Sequence, residues 1–263
     1  MNANIIEGNP TKKFFIEMIT RDISIEDAII DLLDNSIDGA NKICPDDYSG
    51  LFVELIINDK EFSIKDNCGG FSLETAQRYA FRFGRPDEAP KVKNTVGRFG
   101  IGMKRSLFKI GKSFVVESES EHDHFKVDVK VDEWSKKTRP VVVEGNQTTI
   151  IDDWSFNYEI INDVTQGYRG TYIKVTELNN EVKDLFAEDS FLSDLVDNIQ
   201  KLLNFSLLKG ITITLNGRKL EGQKNELLFS ATHKPYYVDG YLGDVRYRII
   251  AGLGEIGEPK KSG

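Results

Sequence analysis

The strongest periodicity in the chain runs from Ser24 to about Ile43. Ile25, Ala28, Ile29, Leu32, Leu33, Ser36, Ile37 and Ala40 recur at three- and four-residue steps and so share one face of a helix. Ser24 followed by Asp27 is a capping-box-like start. Leu51–Ile57 and Phe62–Lys65 then predict two strands joined by a tight turn at Asn58-Asp59-Lys60. Leu73–Phe83 predicts a short helix. Over Gly84–Gly102 periodicity disappears; the segment is polar and glycine-rich, with Pro86 and Pro90, as expected of a functional loop or a lid. Helical spacing resumes at Met103–Ile110, before the strand-like runs Ser113–Ser118, His124–Val131, Thr148–Asp152 and Thr171–Glu177. Phe191–Leu208 reads as one amphipathic helix. After Gly210, Ile211–Leu215, a turn at Asn216-Gly217 and Tyr236–Gly252 return to strand. This order predicts an α+β two-layer sandwich rather than regular βαβ alternation.

Composition narrows the classes. Of 263 residues, 40% are hydrophobic, enough to build a core and to exclude a disordered chain. The formal net charge of −8 argues against a mainly electrostatic grip on nucleic acid, although a local basic patch stays open. Two cysteines, Cys44 and Cys68, cannot make a disulfide framework or a four-ligand zinc site. No apolar run approaches the roughly 18 residues of a membrane span, and the first residues lack the pattern of a signal peptide, so a cytoplasmic location is expected. His122 and His124 have a metal-like spacing but no third ligand close by; an exposed β-turn is the expectation.

Three segments carry candidate chemistry. On the polar face of the first helix, Asp27, Asp31, Asp34, Asn35 and Asp38 fall in one stripe. Such a stripe is either a solvated acidic face or the seat of a divalent cation; oxygen ligands suit Mg²⁺, which takes few protein ligands plus waters and phosphates. Asp66 stands at a strand end before Asn67-Cys68-Gly69-Gly70, where a carboxylate either forms the turn or accepts from an exocyclic amine, the glycines letting a flat ring approach. Gly97-Arg98-Phe99-Gly100-Ile101-Gly102-Met103-Lys104 precedes a helix, and its amides and Lys104 suit a phosphate, as does the helix N-terminus. The spacing G-x-x-G-x-G is not a Rossmann fingerprint. Nor is Gly111-Lys112-Ser113 the tail of a P-loop, because Ser106 occupies the partner glycine position.

In this order the segments resemble the GHKL ATPases: DNA gyrase B, heat-shock ninety chaperones, sensor histidine kinases and MutL, which share the Bergerat fold. Asp31-Leu32-Leu33-Asp34-Asn35-Ser36-Ile37-Asp38 resembles the N-box, Asp66 to Gly70 the D-x-G-x-G box, Gly97 to Gly102 the lid box and Gly170-Thr171 the late G-T pair. Asp34-Asn35-Ser36-Ile37-Asp38-Gly39-Ala40 and Gly100 to Lys104 are most similar to the MORC- and MutL-like branch. The resemblance covers about residues 10–210 and implies an ATP-binding domain with a lid at 84–102, residues 211–263 beginning a transducer-like β segment. It implies Asn35 as the Mg²⁺ ligand, Asp66 as acceptor from the adenine amine, and Ser36 and Thr171 in the network around the ring. Asp38 and Gly70 belong to the same boxes. Gly97, Gly100, Gly102 and the amides of Arg98, Phe99, Ile101 and Met103 would wrap the triphosphate beside Lys104.

Two departures stand out. Asp31 occupies the position of the usual glutamate general base, one methylene short, so hydrolysis is expected to be slow. Cys68 replaces the first box glycine and must keep φ below zero or be strained. The implied activity is Mg-dependent ATP hydrolysis, with lid closure acting as a dimerisation switch and a DNA-processing partner reached through further domains. The rivals are a histidine-kinase-type phosphotransfer domain and a module that binds ATP without hydrolysing it.

Overall fold

The computed structural model describes residues 8–84, 101–143, 147–162, 168–223, 227, 229–230, 232 and 234–253. The chain forms two compact units, Met1–Gly222 and Gln223–Gly263. In the first, α1 (Lys12–Arg21) and α2 (Ile25–Ile43) precede the hairpin of β1 (Phe52–Ile57) and β2 (Phe62–Asp66). A single turn, α3 (Leu73–Thr75), continues as a π-helical turn over Ala76–Ala80. Next, α4 (Gly102–Ile110) runs straight into β3 (Gly111–Glu119), followed by β4 (His124–Lys130) and α5 (Val131–Lys136). The hairpin of β5 (Thr138–Val143) and β6 (Gln147–Asp152) leads to the short β7 (Glu159–Ile160). The unit ends with β8 (Gly170–Leu178), α6 (Asn180–Phe186), α7 (Asp189–Leu202), α8 (Asn204–Leu208), β9 (Thr212–Leu215) and β10 (Arg218–Lys219).

Eight of these strands make one sheet in the order β10-β9-β1-β2-β8-β3-β4-β7. Only β9 on β1 is parallel. Burial alternates along the strands: Val53, Leu55 and Ile57 on β1, Phe62 and Ile64 on β2, and Phe114 and Val116 on β3 are buried on one face. The helices cover that face, as the Phe62–Phe186 ring contact and the α2·β2 and α4·β3 packing require. The opposite face carries Lys65, Glu117, Tyr172 and Lys174. This is the expected α+β two-layer sandwich.

The first helix follows the sequence closely. Ser24 caps α2, accepting from the Asp27 N–H at 2.9 Å and donating to its carboxylate at 2.7 Å. Ile25, Ala28, Ile29, Leu32, Leu33, Ser36 and Ala40 are its buried residues. Elsewhere the structure differs. Phe191–Leu208 is not one helix: it breaks at Leu203, whose φ/ψ of −101°/18° ends α7 and starts α8. His124 is no exposed turn residue; it opens β4, is 8% exposed and bonds Glu117 at 3.0 Å, while His122 is exposed. Ile211, Ile213 and Leu215 are buried because β9 pairs with β1, so the first unit reaches Gly222 rather than ending near Gly210.

The second unit is described as the hairpin of β11 (Tyr236–Leu242) and β12 (Val245–Ala251). Its register sets Val238 opposite Ile249 and Leu242 opposite Val245 on one side, Asp239 opposite Arg248 on the other. Arg246 donates to Asp239 at 2.7 Å.

Candidate functional site

The alternation that buries Phe62 and Ile64 carries Asp66, the last residue of β2, onto the helix side, where it is 4% exposed. The buried stripe of α2 brings Ser36 to meet it. Ser36 Oγ donates to Asp66 Oδ2 at 2.7 Å, and the backbone N–H groups of Cys68 and Thr171 donate to Oδ1 at 2.9 and 3.2 Å. Burial pushes the Asp66 carboxyl above its ordinary value, and these three donors pull the other way. The structure thus joins Asp66, Ser36 and Thr171. Tyr168 adds a bond from its hydroxyl to the Asp66 carbonyl at 2.6 Å.

The turn after Asp66 is built by close approach. Gly69 and Gly70 have φ of +94° and +59°, whereas Cys68 stays out of the left-handed region, so the missing first glycine costs no strain. A Cβ at Gly70 would overlap the Glu119 carbonyl, and one at Gly39 would overlap the Cys68 carbonyl, which shows how tightly α2 lies on this turn. Burial pushes the Cys68 thiol up to about 12, the chemistry of a packed filler rather than of a redox centre.

The acidic stripe of α2 meets α4. Arg105 NH2 bonds Asp31 Oδ2 at 2.7 Å, and a Cβ on Gly102, the first residue of α4, would stand 3.6 Å from the same oxygen. The basic partner of Asp31 therefore comes from α4. Asn35 turns back on its helix: its Nδ2 donates to the Asp31 carbonyl at 2.9 Å, and the residue is exposed. Asp38 lies half-buried one turn further on.

Between them, Asp34 is pushed from 3.8 to about 6, by burial first and then by Asp31 and Asp38. The folded chain keeps this proton where the unfolded chain has released it, so stability falls as pH rises from about 4 through about 6. Asp34→Asn is expected to flatten that part of the profile and to raise the melting temperature at neutral pH, read from thermal melts across the window. An unchanged slope would mean that Asp34 is not the titrating group.

Lys104 and Arg105 diverge along α4. Lys104 is buried, donates to the Ala80 carbonyl at 2.5 Å, lies 5.7 Å from the Phe83 ring centroid and is lowered by burial to about 8. Ile101 caps α4 without a side-chain bond, and Met103 packs half-buried against the core. Gly97, Arg98, Phe99 and Gly100 lie outside the described residues. A cavity of about 670 Å³, lined by Phe15, Gln77, Phe81, Trp154 and Tyr158 among others, shares no residue with the Asp66 network.

A family model described as Histidine kinase-, DNA gyrase B-, and HSP90-like ATPase matches residues 23–166, more than half of the chain. The chain belongs to this ATPase family. No curated protein matches it. The matched span holds α2, the Asp66 turn and the start of α4, three stretches that the described structure packs together; Thr171 lies just beyond it. Arg105 and Tyr168 were not singled out by motif. Arg105 stands one helical turn from Gly102, so its reach toward α2 follows from helix geometry once the two helices are known to pack, whereas nothing local marks Tyr168.

Proposed function

We propose that the chain is a Mg-dependent ATP-binding module that hydrolyses ATP slowly, with closure of the Gly84–Gly102 segment as its switch. The observation that supports it most is the buried Asp66 carboxylate, held by Ser36, Cys68 and Thr171. Asp66 accepts from the adenine amine, and Ser36 and Thr171 fix its orientation. The phosphates lie toward the N-terminus of α4, whose amides supply donors; Lys104, buried and bonded to the Ala80 carbonyl, is not placed to add its charge. Asp31, aimed by Arg105, orients the attacking water.

The residues suit Mg²⁺: Asn35 is exposed and carries an amide oxygen, and Asp31, Asp34 and Asp38 gather carboxylates on the same helix face. Bound there, Mg²⁺ would neutralise charge on the phosphates; Asn35 would hold it. Nucleotide shifts the segment only through better binding to the closed form. In a larger assembly that closure would join two copies. A DNA-processing partner is carried by the MORC- and MutL-like motif wording alone, and the second unit, Gln223–Gly263, would begin the transducer-like part.

The test is ATP-analogue titration with and without Mg²⁺. Asn35→Ala is expected to remove the Mg²⁺ dependence and to weaken binding about tenfold in its presence. Identical titrations of Asn35→Ala and wild type would overturn the ligand assignment. Labelled ATP separates the chemistries: free phosphate supports hydrolysis, label retained on protein supports phosphotransfer.

A further inference from the structure

The face of the sheet turned away from the helices holds a second cluster. Register sets Glu119 between Gly170 and His124, and Glu117 between Tyr172 and Lys126, all on one side; Lys65 pairs with Tyr172 on the next strand. With Tyr168 just before β8, these residues line a cavity of about 510 Å³. Gly170 also lines it.

Glu119 is 3% exposed, and among the described residues no hydrogen-bond donor reaches its buried Oε1. Its other oxygen is 4.0 Å from His124 Nδ1, too far for a hydrogen bond, while His124 Nε2 is engaged by Glu117 at 3.0 Å. A buried carboxylate oxygen without a donor is costly, and a cationic donor offsets that cost best. Lys65 does not supply it: its Nζ lies over the Tyr168 ring, 5.4 Å from the centroid.

The chemistry of the occupant follows from the walls. Two carboxylates disfavour an anion. A bare metal ion fits poorly, because among the described residues no three His, Cys, Asp or Glu side chains are arranged to hold one. The cavity is also much larger than an ion. Two tyrosine rings flank the carboxylates, and aromatic faces favour organic cations. We propose that this cavity binds the guanidinium or ammonium headgroup of a small alkyl cation, with Glu119 as the charge-assisted acceptor, Glu117 as a second acceptor and Tyr172 as the cation–π wall. The proposal does not rest on the nucleotide reading, although Tyr168 also donates to the Asp66 carbonyl.

Agmatine, titrated calorimetrically into the full chain at low salt without nucleotide, tests it. Saturable binding is expected, weakened about tenfold or more by Glu119→Gln and less by Glu117→Gln. Lys65→Ala should tighten it by removing a like charge, and a neutral alkylurea should not compete. Binding by a blocked arginine tripeptide as well would identify a peptide side chain as the source of the headgroup; agmatine alone would identify a free amine. Circular dichroism and melting check each fold, and if Glu119→Gln does not fold, Glu117→Gln and Tyr172→Ala carry the test. Absence of saturation at millimolar agmatine, equal affinity in folded carboxamide variants, or Lys65-dependent binding of citrate instead would overturn the proposal.

Discussion

Asp66→Asn is expected to abolish adenine recognition while leaving the chain folded. The carboxylate accepts from Ser36 Oγ on one oxygen and from the Cys68 and Thr171 N–H groups on the other. An asparagine keeps the second of these by placing its oxygen toward the two backbone donors. Its amide nitrogen then faces Ser36, whose hydroxyl rotates to accept rather than donate. The local network survives this exchange. What does not survive is an acceptor for the purine: the position that accepted a hydrogen bond from the exocyclic amine now presents a donor, and two donors face each other in a site where water is excluded. Leaving a buried donor unpaired costs about 1–3 kcal/mol, and the repelled ligand amine loses its own partner as well. Affinity for ATP should fall at least about a hundredfold. Calorimetric titration measures the loss, with melting temperature as the control for folding. Wild-type affinity in the variant would remove Asp66 from the adenine site.

The parts of this site that could be read from the chain are those set by local periodicity. Ser36 sits in phase with Leu32, Leu33 and Ala40, so a helix packed on a sheet must point it inward; Asp66 follows Phe62 and Ile64 at two-residue steps, so it must end on the same side. Their meeting at 2.7 Å follows from two periods and one packing step. The Cys68 turn was legible for a similar reason, since Gly69 and Gly70 carry the positive φ that a non-glycine residue avoids.

What escaped were contacts decided between distant elements. Lys12 is a charged residue early in the chain, yet it is buried, donating to the Trp134 and Lys137 carbonyls at 2.7 Å each and lying 4.7 Å from the Trp134 ring centroid. No pattern within α1 announces that socket, because α5 supplies it. His124 is the same case: its spacing from His122 suggests a turn, but the pairing of β4 with β3 places it beside Glu117 and Glu119. The end of the first unit shifted for a topological reason. Ile211–Leu215 is a plain strand in isolation, and only the parallel register with β1 assigns it to the main sheet. The Asp31–Arg105 pair is the same kind of contact, and it bears directly on turnover.

Asp31→Asn is expected to cut ATP hydrolysis about a hundredfold or more while leaving ATP affinity within a few-fold of wild type, because a general base acts on water in the reaction rather than on the bound nucleotide. The pair at 2.7 Å aims the carboxylate: Asp31 is a methylene shorter than the glutamate of related motifs, and Arg105, reaching from α4, fixes where its second oxygen points. Arg105→Ala should therefore lower kcat with little change in KM, and Arg105→Lys should restore part of it, a pattern that loss of folding would not give. Asp31→Glu separates the two active readings. If the missing methylene limits turnover, the longer side chain regains reach and kcat rises, since misplacement by about 1 Å costs roughly a hundredfold. If wild type releases no phosphate and Asp31→Glu does, the native chain binds ATP without hydrolysing it and the shorter carboxylate is the reason. Turnover unchanged in both Asp31→Asn and Asp31→Glu would place the base elsewhere, leaving the Asp31–Arg105 pair as a structural tie between α2 and α4.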